Sequence, residues 1–428
     1  MAQRMGSVDA AWLQMDRPEN AADIVALLTF DEPMPFARLT EVVEERLLPQ
    51  ERFRQRVSAR ALGGAAWEAD PRFDLGNHLE RASVGDGPGA LQDFVGRVAT
   101  DSLHPDRPLW RIWAVEGFGP GSALVAKLHH CIGDGQALLS VLLSLADGFE
   151  GGGRLAFPAA PVPDFSREAL AAALRDWGRA RTMARQGLGM AASLARMVAL
   201  PRATATSLDR PLSGRRRVAW SRGMPLAPVR AAARARGATA NDLLTAALSG
   251  ALRGQLAAEG TEVEGLRLRA LVPVNLKVRS GRLGNGFGLV FVELPVGLPT
   301  PAERLEAVRQ QMQALKAAPD AAVTYGILSA LGRLPIAAEA AINRFFAGKA
   351  SLVVTNVPGP GEALALAERR IGSLMFWVPH PSLLGLGVSI MTYAGEVRVG
   401  ARADVAVMAD PGDLIRRTES EVEALQLA

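Results

Sequence analysis

The segment ALVAKLHHCIGDG, residues 123–135, decides how the rest of the sequence is interpreted. Its first half is aliphatic, which predicts a buried β-strand, and Gly133 and Gly135 predict the turn that ends it. Two histidines and an aspartate therefore stand where a buried strand gives way to a loop. Because successive side chains of a strand point to opposite faces, we expect His129 and His130 to diverge, one being catalytic and the other structural.

These residue types suit proton transfer. A neutral imidazole accepts a proton from an alcohol or thiol at physiological pH, and such a general base speeds group transfer by roughly 10²–10⁴-fold. Asp134 either fixes a histidine tautomer or makes a buried ion pair that holds the loop, and the spacing leaves both roles open. A paired histidine is also compatible with a core or surface position that has no part in catalysis.

Two other interpretations of the segment are disfavoured. Adjacent histidines on a strand diverge, and no second His/Cys cluster has ligand spacing, which argues against a zinc site. Cys131 is the single cysteine of the chain. We interpret it as a small core residue, not as a nucleophile, because buried cysteines are common in protein interiors.

The pattern His129-His130-x-x-x-Asp134-Gly135 resembles the HHxxxDG signature of the CoA-dependent acyltransferase superfamily, which includes chloramphenicol acetyltransferase and the condensation domains of peptide synthetases. Further motifs narrow the resemblance to the bacterial wax ester synthase/acyl-CoA:diacylglycerol acyltransferase family. In family order they are Pro108-Leu109-Trp110, Asn241-Asp242 and SLVVTNVPGP at 351–360, with shorter matches at Asp9-Ala10, Trp12-Leu13 and Leu283-Gly284-Asn285. Arg111 departs from the pattern, which commonly has an acidic residue there, and this puts substrate preference in doubt more than reaction class.

The resemblance covers nearly the whole chain and implies a mixed α/β (α+β) fold. It implies two chloramphenicol-acetyltransferase-like domains, each a mixed sheet flanked by helices, with a shared tunnel at their interface. We expect the N-terminal domain at 1–150, a basic and partly helical connector at 151–214, and the C-terminal domain at 215–428.

The resemblance also implies an activity, which is transfer of a fatty acyl group from acyl-CoA to a long-chain alcohol or diacylglycerol. The products would be wax ester or triacylglycerol, with acyl-CoA as co-substrate, no further cofactor and no metal. His130 would be the general base, without an acyl-enzyme intermediate, and His129 would complete the catalytic motif. Asp134 would support it structurally, paired with an arginine such as Arg279, and Gly135 would permit the tight turn.

Gly135, Asn241, Thr355 and Asn356 are the expected substrate-binding residues. Donors near Asn241 would stabilise the oxyanion. Asn241 also suits the N-cap of a helix, so a capping role and a site role both stay open.

Two alternatives to this function differ in what they predict. A condensation-like acyltransferase would take its acyl group from a carrier-protein thioester, whereas a catalytically silent relative would only bind lipid. Activity with free acyl-CoA would distinguish the expected function from the first alternative. The intact His130 and Asp134 argue against the second alternative.

The composition indicates a globular protein and argues against several other classes. With 428 residues, 49% hydrophobic and 21% charged, the chain is typical of a globular protein of two domains. No signal peptide is recognisable, and a single cysteine fits a reducing cytosol. The most apolar stretch, 371–391, is interrupted by Pro379-His380-Pro381, which argues against a membrane-spanning helix. We therefore expect a cytoplasmic protein, either soluble or peripheral at a membrane or lipid body.

Positive charge is concentrated in one region. Residues 151–220 contain twelve arginines, no lysine and four acidic residues, against a net charge of +4 for the chain. We expect helices at 166–185 and 189–200, as either a solvated connector or a surface element whose arginines meet anionic lipid. CoA phosphates are a further possible partner, whereas nucleic acid is weakly supported because no basic-aromatic motif accompanies the arginines.

Overall fold

The computed structural model describes residues 3–19, 21–59, 65–87, 89–148, 159–160, 174–276, 284–316, 318–331, 344–345, 347–380 and 384–427. The part of the expected connector before residue 174 lies outside these ranges except for residues 159–160. The helix expected at 166–185 is therefore described only in its second half.

The described strands and helices are intermixed along the chain. The strands are β1 (Gln3–Arg4), β2 (Asp23–Phe30), β3 (Gln55–Ala59), β4 (Ala65–Ala69), β5 (Leu79–Ser83), β6 (Trp110–Glu116), β7 (Ser122–His129), β8 (Arg216–Trp220), β9 (Met224–Pro225), β10 (Leu268–Asn275), β11 (Phe287–Leu294), β12 (Leu352–Pro358), β13 (Ala365–Leu366), β14 (Arg369–Trp377), β15 (Leu386–Tyr393) and β16 (Glu396–Asp404). The helices are α1 (Ser7–Met15), α2 (Phe36–Val42), α3 (Ala90–Thr100), α4 (Gly135–Leu143), α5 (Trp177–Ala199), α6 (Leu226–Ala235), α7 (Ala240–Ala258), α8 (Pro301–Lys316), α9 (Asp320–Leu331) and α10 (Pro411–Leu427).

The first sheet contains the strand that carries the histidine motif. Its strand order is β13-β14-β2-β7-β6-β5. Every residue of β7 is buried, and β7 pairs antiparallel with β2 and β6. A continuous aliphatic run is what a central, two-sided strand requires, so the predicted strand is confirmed.

Two strands of this sheet come from the second half of the chain. β14 pairs antiparallel with β2, and β13 pairs with β14. The second half therefore completes the first sheet. The proposed boundaries at 150 and 215 stay a prediction.

The second sheet has the strand order β11-β10-β12-β15-β16-β8, and β9 pairs with β16. β12 runs parallel to β10 and β15, and the remaining pairs are antiparallel. Helix α7 packs against α8 and α10, and α9 packs against β11. Two mixed sheets flanked by helices confirm the predicted fold class.

In the described part of the connector, a continuous helix occupies the position where the sequence predicted a break. We expected separate helices at 166–185 and 189–200, but α5 runs without interruption through Gly187 and Gly189. Glycine weakens a helix by about 1 kcal/mol without forbidding it, and here the helix is also supported by packing against α9. The predicted separation is therefore wrong.

Three buried cations meet at the carboxyl end of α3. Lys127 Nζ donates to the carbonyls of Val98 (2.8 Å) and Asp101. Arg402 donates to the carbonyls of Ala99 (3.1 Å) and Asp23 (2.8 Å). Positive groups are stabilised at this end of a helix because its last carbonyls have no partner within the helix.

Arg216, the third cation, donates to the same Ala99 carbonyl at 3.4 Å. Arg216 and Arg402 belong to β8 and β16 of the second sheet, whereas Lys127 belongs to β7 of the first. The end of α3 is therefore a junction between the two halves, and the sequence did not reveal it.

Lys127 also makes a buried ion pair with Asp23, with Nζ 3.0 Å from Oδ2. We expect Lys127→Met to lower the free energy of unfolding by about 3–5 kcal/mol, because it leaves the Asp23 carboxylate buried without its partner. Urea denaturation followed by circular dichroism measures the loss.

The exposed pair Arg267–Glu293 provides the control, since Arg267→Met should cost less than about 1 kcal/mol. The double variant Lys127→Met/Asp23→Asn should recover part of the loss. Equal stability of Lys127→Met and Arg267→Met would contradict the structural role of the buried pair.

Candidate active site

The two histidines point in different directions, as their alternation predicted. The His129 ring is buried, with Nε2 3.7 Å from Asp16 Oδ2. The backbone N–H of Cys131 donates to His129 Nδ1 at 3.0 Å, so this nitrogen carries the lone pair. His129 thus braces the turn after β7.

His130 faces the other way, into an aromatic setting. Its ring stacks on Trp12 with centroids 4.0 Å apart and an interplanar angle of 20°, and Phe287 lies 5.6 Å away. Asn285 Nδ2 donates to the His130 carbonyl at 2.9 Å. Burial lowers the pKa of His130 to about 3, so the imidazole is neutral at physiological pH.

His130 lines a cavity between the two halves of the chain. The first half supplies α1, the turn after β7 and the start of α4, and the second half supplies β10, β11, β12 and the two residues that follow β14. The lining residues are Trp12, His130, Asp134, Gly135, Gln136, Pro273, Asn275, Phe287, Leu289, Val353, Thr355, Asn356, Val357, Val378 and Pro379. An apolar wall with a few convergent polar groups is typical of a small-molecule site.

Asp134 joins the two halves through backbone groups. Its Oδ1 accepts the N–H groups of Gln136 (3.2 Å) and Ala137 (2.9 Å), which caps α4, and its Oδ2 accepts the N–H of Gly286 (3.0 Å). Burial raises the pKa of Asp134. In this arrangement the carboxylate orders the start of α4 and does not fix a histidine tautomer, and the suggested partner Arg279 lies outside the described residues.

The turn at Gly135 does not depend on glycine, contrary to the expectation from the sequence. Gly135 is the first residue of α4, and its φ is not among the positive values of the chain, so the turn does not require glycine. A Cβ at this position would lie 3.9 Å from Val378 Cγ1, across the cavity wall. This distance is an ordinary van der Waals contact, so the structure leaves room for a methyl group at position 135.

Asn241, Thr355 and Asn356 fall into two groups. Thr355 and Asn356 line the cavity. Asn241 is not a lining residue, and its Oδ1 accepts the Asn356 Nδ2–H at 2.7 Å. Asn241 is not the N-cap of α7; Thr239 is, in a reciprocal capping box with Asp242. The capping alternative for Asn241 is therefore wrong, because Thr-x-x-Asp satisfies the helix start two residues earlier.

Helix α1 contributes to the site in a way that the sequence motifs did not indicate. Asp9 and Trp12 lie on α1 and Asp16 directly follows it, at spacings that place all three on one side of the helix. Trp12 stacks on His130, Asp16 approaches His129, and Asp9 Oδ1 accepts Asn285 Nδ2 at 2.8 Å. The i, i+3, i+7 spacing was the available signal.

A second missed contact crosses the cavity, where Asn275 donates to Gln136 and so joins β10 to α4. Within the described ranges, no group of three or more His, Cys, Asp or Glu side chains is placed to hold a metal ion.

Comparison with known proteins gives consistent matches over the chain. Residues 5–244 match a family model described as the wax ester synthase/diacylglycerol acyltransferase catalytic domain, and residues 283–426 match one described as the WS/DGAT C-terminal domain. A probable diacylglycerol O-acyltransferase of Mycobacterium tuberculosis strain H37Rv is 30% identical over 446 residues, covering 98% of this chain and 95% of that protein.

Two solved structures are also similar. The wax ester synthase/diacylglycerol acyltransferase from Marinobacter aquaeolei VT8 has a TM-score of 0.72 at 21% identity, with 99% of both chains covered. The first condensation domain of the calcium-dependent antibiotic synthetase has a TM-score of 0.64 at 17% identity, covering 100% of this chain and 96% of that chain. At these identities the two structures establish a common fold alone.

The position of Asp134 predicts a stability effect that an ordinary helix cap lacks. We expect Asp134→Ala to lower the free energy of unfolding by about 3 kcal/mol, because it removes a cap and leaves the Gly286 N–H without its acceptor. Urea denaturation measures the difference.

Asp176 caps the exposed start of α5 by accepting the N–H groups of Gly178 (2.8 Å) and Arg179 (3.3 Å), and it provides the matched control. Asp176→Ala should cost about 1 kcal/mol or less. Similar losses in the two variants would show that Asp134 is no more than a cap.

Proposed function

The chain belongs to the wax ester synthase/diacylglycerol acyltransferase family and is an O-acyltransferase, and from that premise we propose its donor, its catalytic base and its surroundings in the cell. The acceptor is the hydroxyl of a lipid alcohol, either a long-chain alcohol or diacylglycerol. The donor that we propose is a fatty acyl-CoA. The products are then wax ester or triacylglycerol, together with free CoA.

The observation that carries the mechanism is the neutral His130 imidazole in the wall of the cavity between the halves. Its Nδ1 is shielded from solvent, so we assign Nε2, the other ring nitrogen, as the proton acceptor. Nε2 takes the hydroxyl proton as the alcohol oxygen attacks the thioester carbonyl carbon. The carbon–sulfur bond then breaks, and the proton passes from His130 to the thiolate of CoA.

Direct transfer, without an acyl-enzyme, agrees with the lining of the cavity. Thr355 supplies the single side-chain hydroxyl among the described lining residues, and Cys131 is not one of them. Cys131 is fully buried in the core of the first half. The general base is therefore the group best placed to start the reaction.

The remaining polar groups suit stabilisation of the tetrahedral intermediate. Asn356 is held by Asn241 at 2.7 Å, which orients its amide at the cavity edge. We propose that this amide donates to the developing oxyanion, a contact typically worth about 3 kcal/mol. Thr355 and Gly135 would bound the space around the reacting atoms, and the apolar wall would hold the acyl chain.

Helix α5 supports a peripheral association with lipid. Trp177, Leu188 and Val198 are 85%, 72% and 55% exposed, and their spacing places them on one side of the helix. Arg181 and Arg185 are exposed beside this stripe. An apolar stripe flanked by arginines is typical of a helix that lies in the surface of an anionic membrane.

We therefore propose that the protein acts in the cytoplasm, where α5 docks it on a membrane or lipid-body surface. Over the described ranges, no helix combines the length and the apolar character that spanning a bilayer requires.

His130→Ala should lower alcohol-dependent release of CoA from palmitoyl-CoA by at least about 10²-fold, because it removes the base. A thiol-reactive dye follows the release, with hexadecanol and dioleoylglycerol supplied separately. His104→Ala, at a histidine outside the cavity, is the matched control and should leave the rate unchanged.

Full activity of His130→Ala would refute the proposed base. Wild-type protein that releases no CoA with either alcohol would instead favour a carrier-protein donor or a lipid-binding role.

Leu188→Asp should weaken binding to phosphatidylcholine vesicles containing phosphatidylglycerol by about 10-fold or more, since a buried leucine contributes about 1.5–3 kcal/mol. Co-sedimentation measures the bound fraction. Gln186→Asp makes the same kind of charge change at an exposed polar position of α5 and is the control. Equal binding of the two variants would exclude the stripe as the lipid contact.

A further inference from the structure

Trp12 and His130 form the closest ring stack at the cavity. Their centroids are 4.0 Å apart and their planes differ by 20°, so the indole lies face to face with the imidazole. Trp12 is 4% exposed and lines the same cavity. His130, the proposed base, is therefore in face-to-face contact with the indole ring of Trp12.

Proton transfer to a buried base creates a charge that is costly in a site shielded from water. When His130 takes the alcohol proton it becomes a cation, and burial opposes that charge. In many enzymes a carboxylate hydrogen-bonded to the histidine stabilises the imidazolium. Among the described residues, no carboxylate makes an ion pair with His130.

The nearby charged and titratable groups are held by other partners. Asp134 accepts three backbone N–H groups, and Asp9 accepts the backbone and side-chain N–H groups of Asn285. Asp16 accepts the Ala22 N–H and faces His129. Arg52 acts electrostatically on Asp9. The indole face of Trp12 is the closest aromatic contact of the His130 ring, at 4.0 Å against 5.6 Å for Phe287.

We propose that Trp12 stabilises, through the face of its indole ring, the positive charge that His130 acquires when it accepts the alcohol proton. This inference rests on the proposed function of His130 as the base. The face of an aromatic ring attracts a cation within about 6 Å of its centroid, tryptophan most strongly, and the attraction grows when water is excluded. Trp12 acts through His130 and is in that sense a positioning residue.

Contacts at both ends of α1 fix the position of the Trp12–His130 stack. Asp9 is bound to Asn285, which also donates to the His130 carbonyl at 2.9 Å, and Asp16 approaches His129. Phe287 lies 6.2 Å from Trp12 on a tilted plane. These contacts fix the indole relative to the imidazole before substrate binds, as electrostatic preorganisation requires.

The chain contains a second Trp–His stack that serves as an internal control. Trp110 and His78 lie 4.7 Å apart with planes 23° from parallel. There His78 Nδ1 pairs with the Trp110 carbonyl at 2.8 Å, and neither residue lines the active-site cavity. Changes to the Trp110 ring face should therefore leave catalysis unaffected.

The experiment incorporates mono-, di- and trifluorotryptophan at position 12 by nonsense suppression in the full-length chain, with the same series at position 110. Fluorination weakens the attraction of the ring face for cations while nearly preserving its shape. The readout is the single-turnover rate of CoA release with palmitoyl-CoA and hexadecanol, together with KM for both substrates. Trp12→Phe and Trp12→Leu complete the set, and His130→Ala is measured in parallel.

We expect the chemical rate to fall stepwise with fluorination at position 12, by about 10- to 30-fold for the trifluoro ring, with little change in KM. Position 110 should show no trend, and Trp12→Phe should retain more activity than Trp12→Leu. A rate independent of fluorination at position 12, with His130→Ala inactive, would overturn the role of Trp12 and leave the base intact. An active His130→Ala would overturn the proposed base and, with it, this inference.

Discussion

The carboxyl end of α3 is the constraint on which the arrangement of the two halves depends. Three cations from both sheets, Lys127, Arg216 and Arg402, are buried there and donate to carbonyls that the helix itself leaves unpaired. Desolvated cations are costly without such partners, so separating the halves would strand them. The junction also includes Asp23, which lies opposite His129 in the β2–β7 register. The same contacts that join the sheets therefore set the position of the turn that carries His129 and His130.

Around that turn, the site is assembled from short segments that have separate tasks. The strand β7 leads into His130, the start of α4 is ordered by Asp134, and α1 supplies the aromatic ring that stacks on His130. β12 adds Thr355 and Asn356 from the second half. Because each segment is anchored by its own hydrogen bonds, the geometry around His130 is set before substrate arrives. Such preorganisation is the main electrostatic contribution that a protein makes to acyl transfer.

The sequence predicted the local features of this site well and its long-range features poorly. The aliphatic run and the two glycines placed the histidines at the end of a buried strand, and alternation predicted their divergence. The Thr239–Asp242 capping box was also readable from the sequence, and it excludes the capping role that had stayed open for Asn241. In contrast, the Asp134–Gly286 contact and the cations at α3 link residues far apart in sequence. Periodicity and capping rules describe neighbours along the chain and carry no information about such partners.

The position of β14 limits how the two halves of the chain can be separated or exchanged between related proteins. The strand belongs to the second half of the chain, yet it covers the edge of β2 in the first sheet. A first half made alone would expose the apolar strand β2 as an open edge, a template for aggregation. Recombination between relatives at the connector would also carry a foreign β14 into the resident sheet. The two halves are thus constrained to diverge together, as parts of one unit that shares a strand.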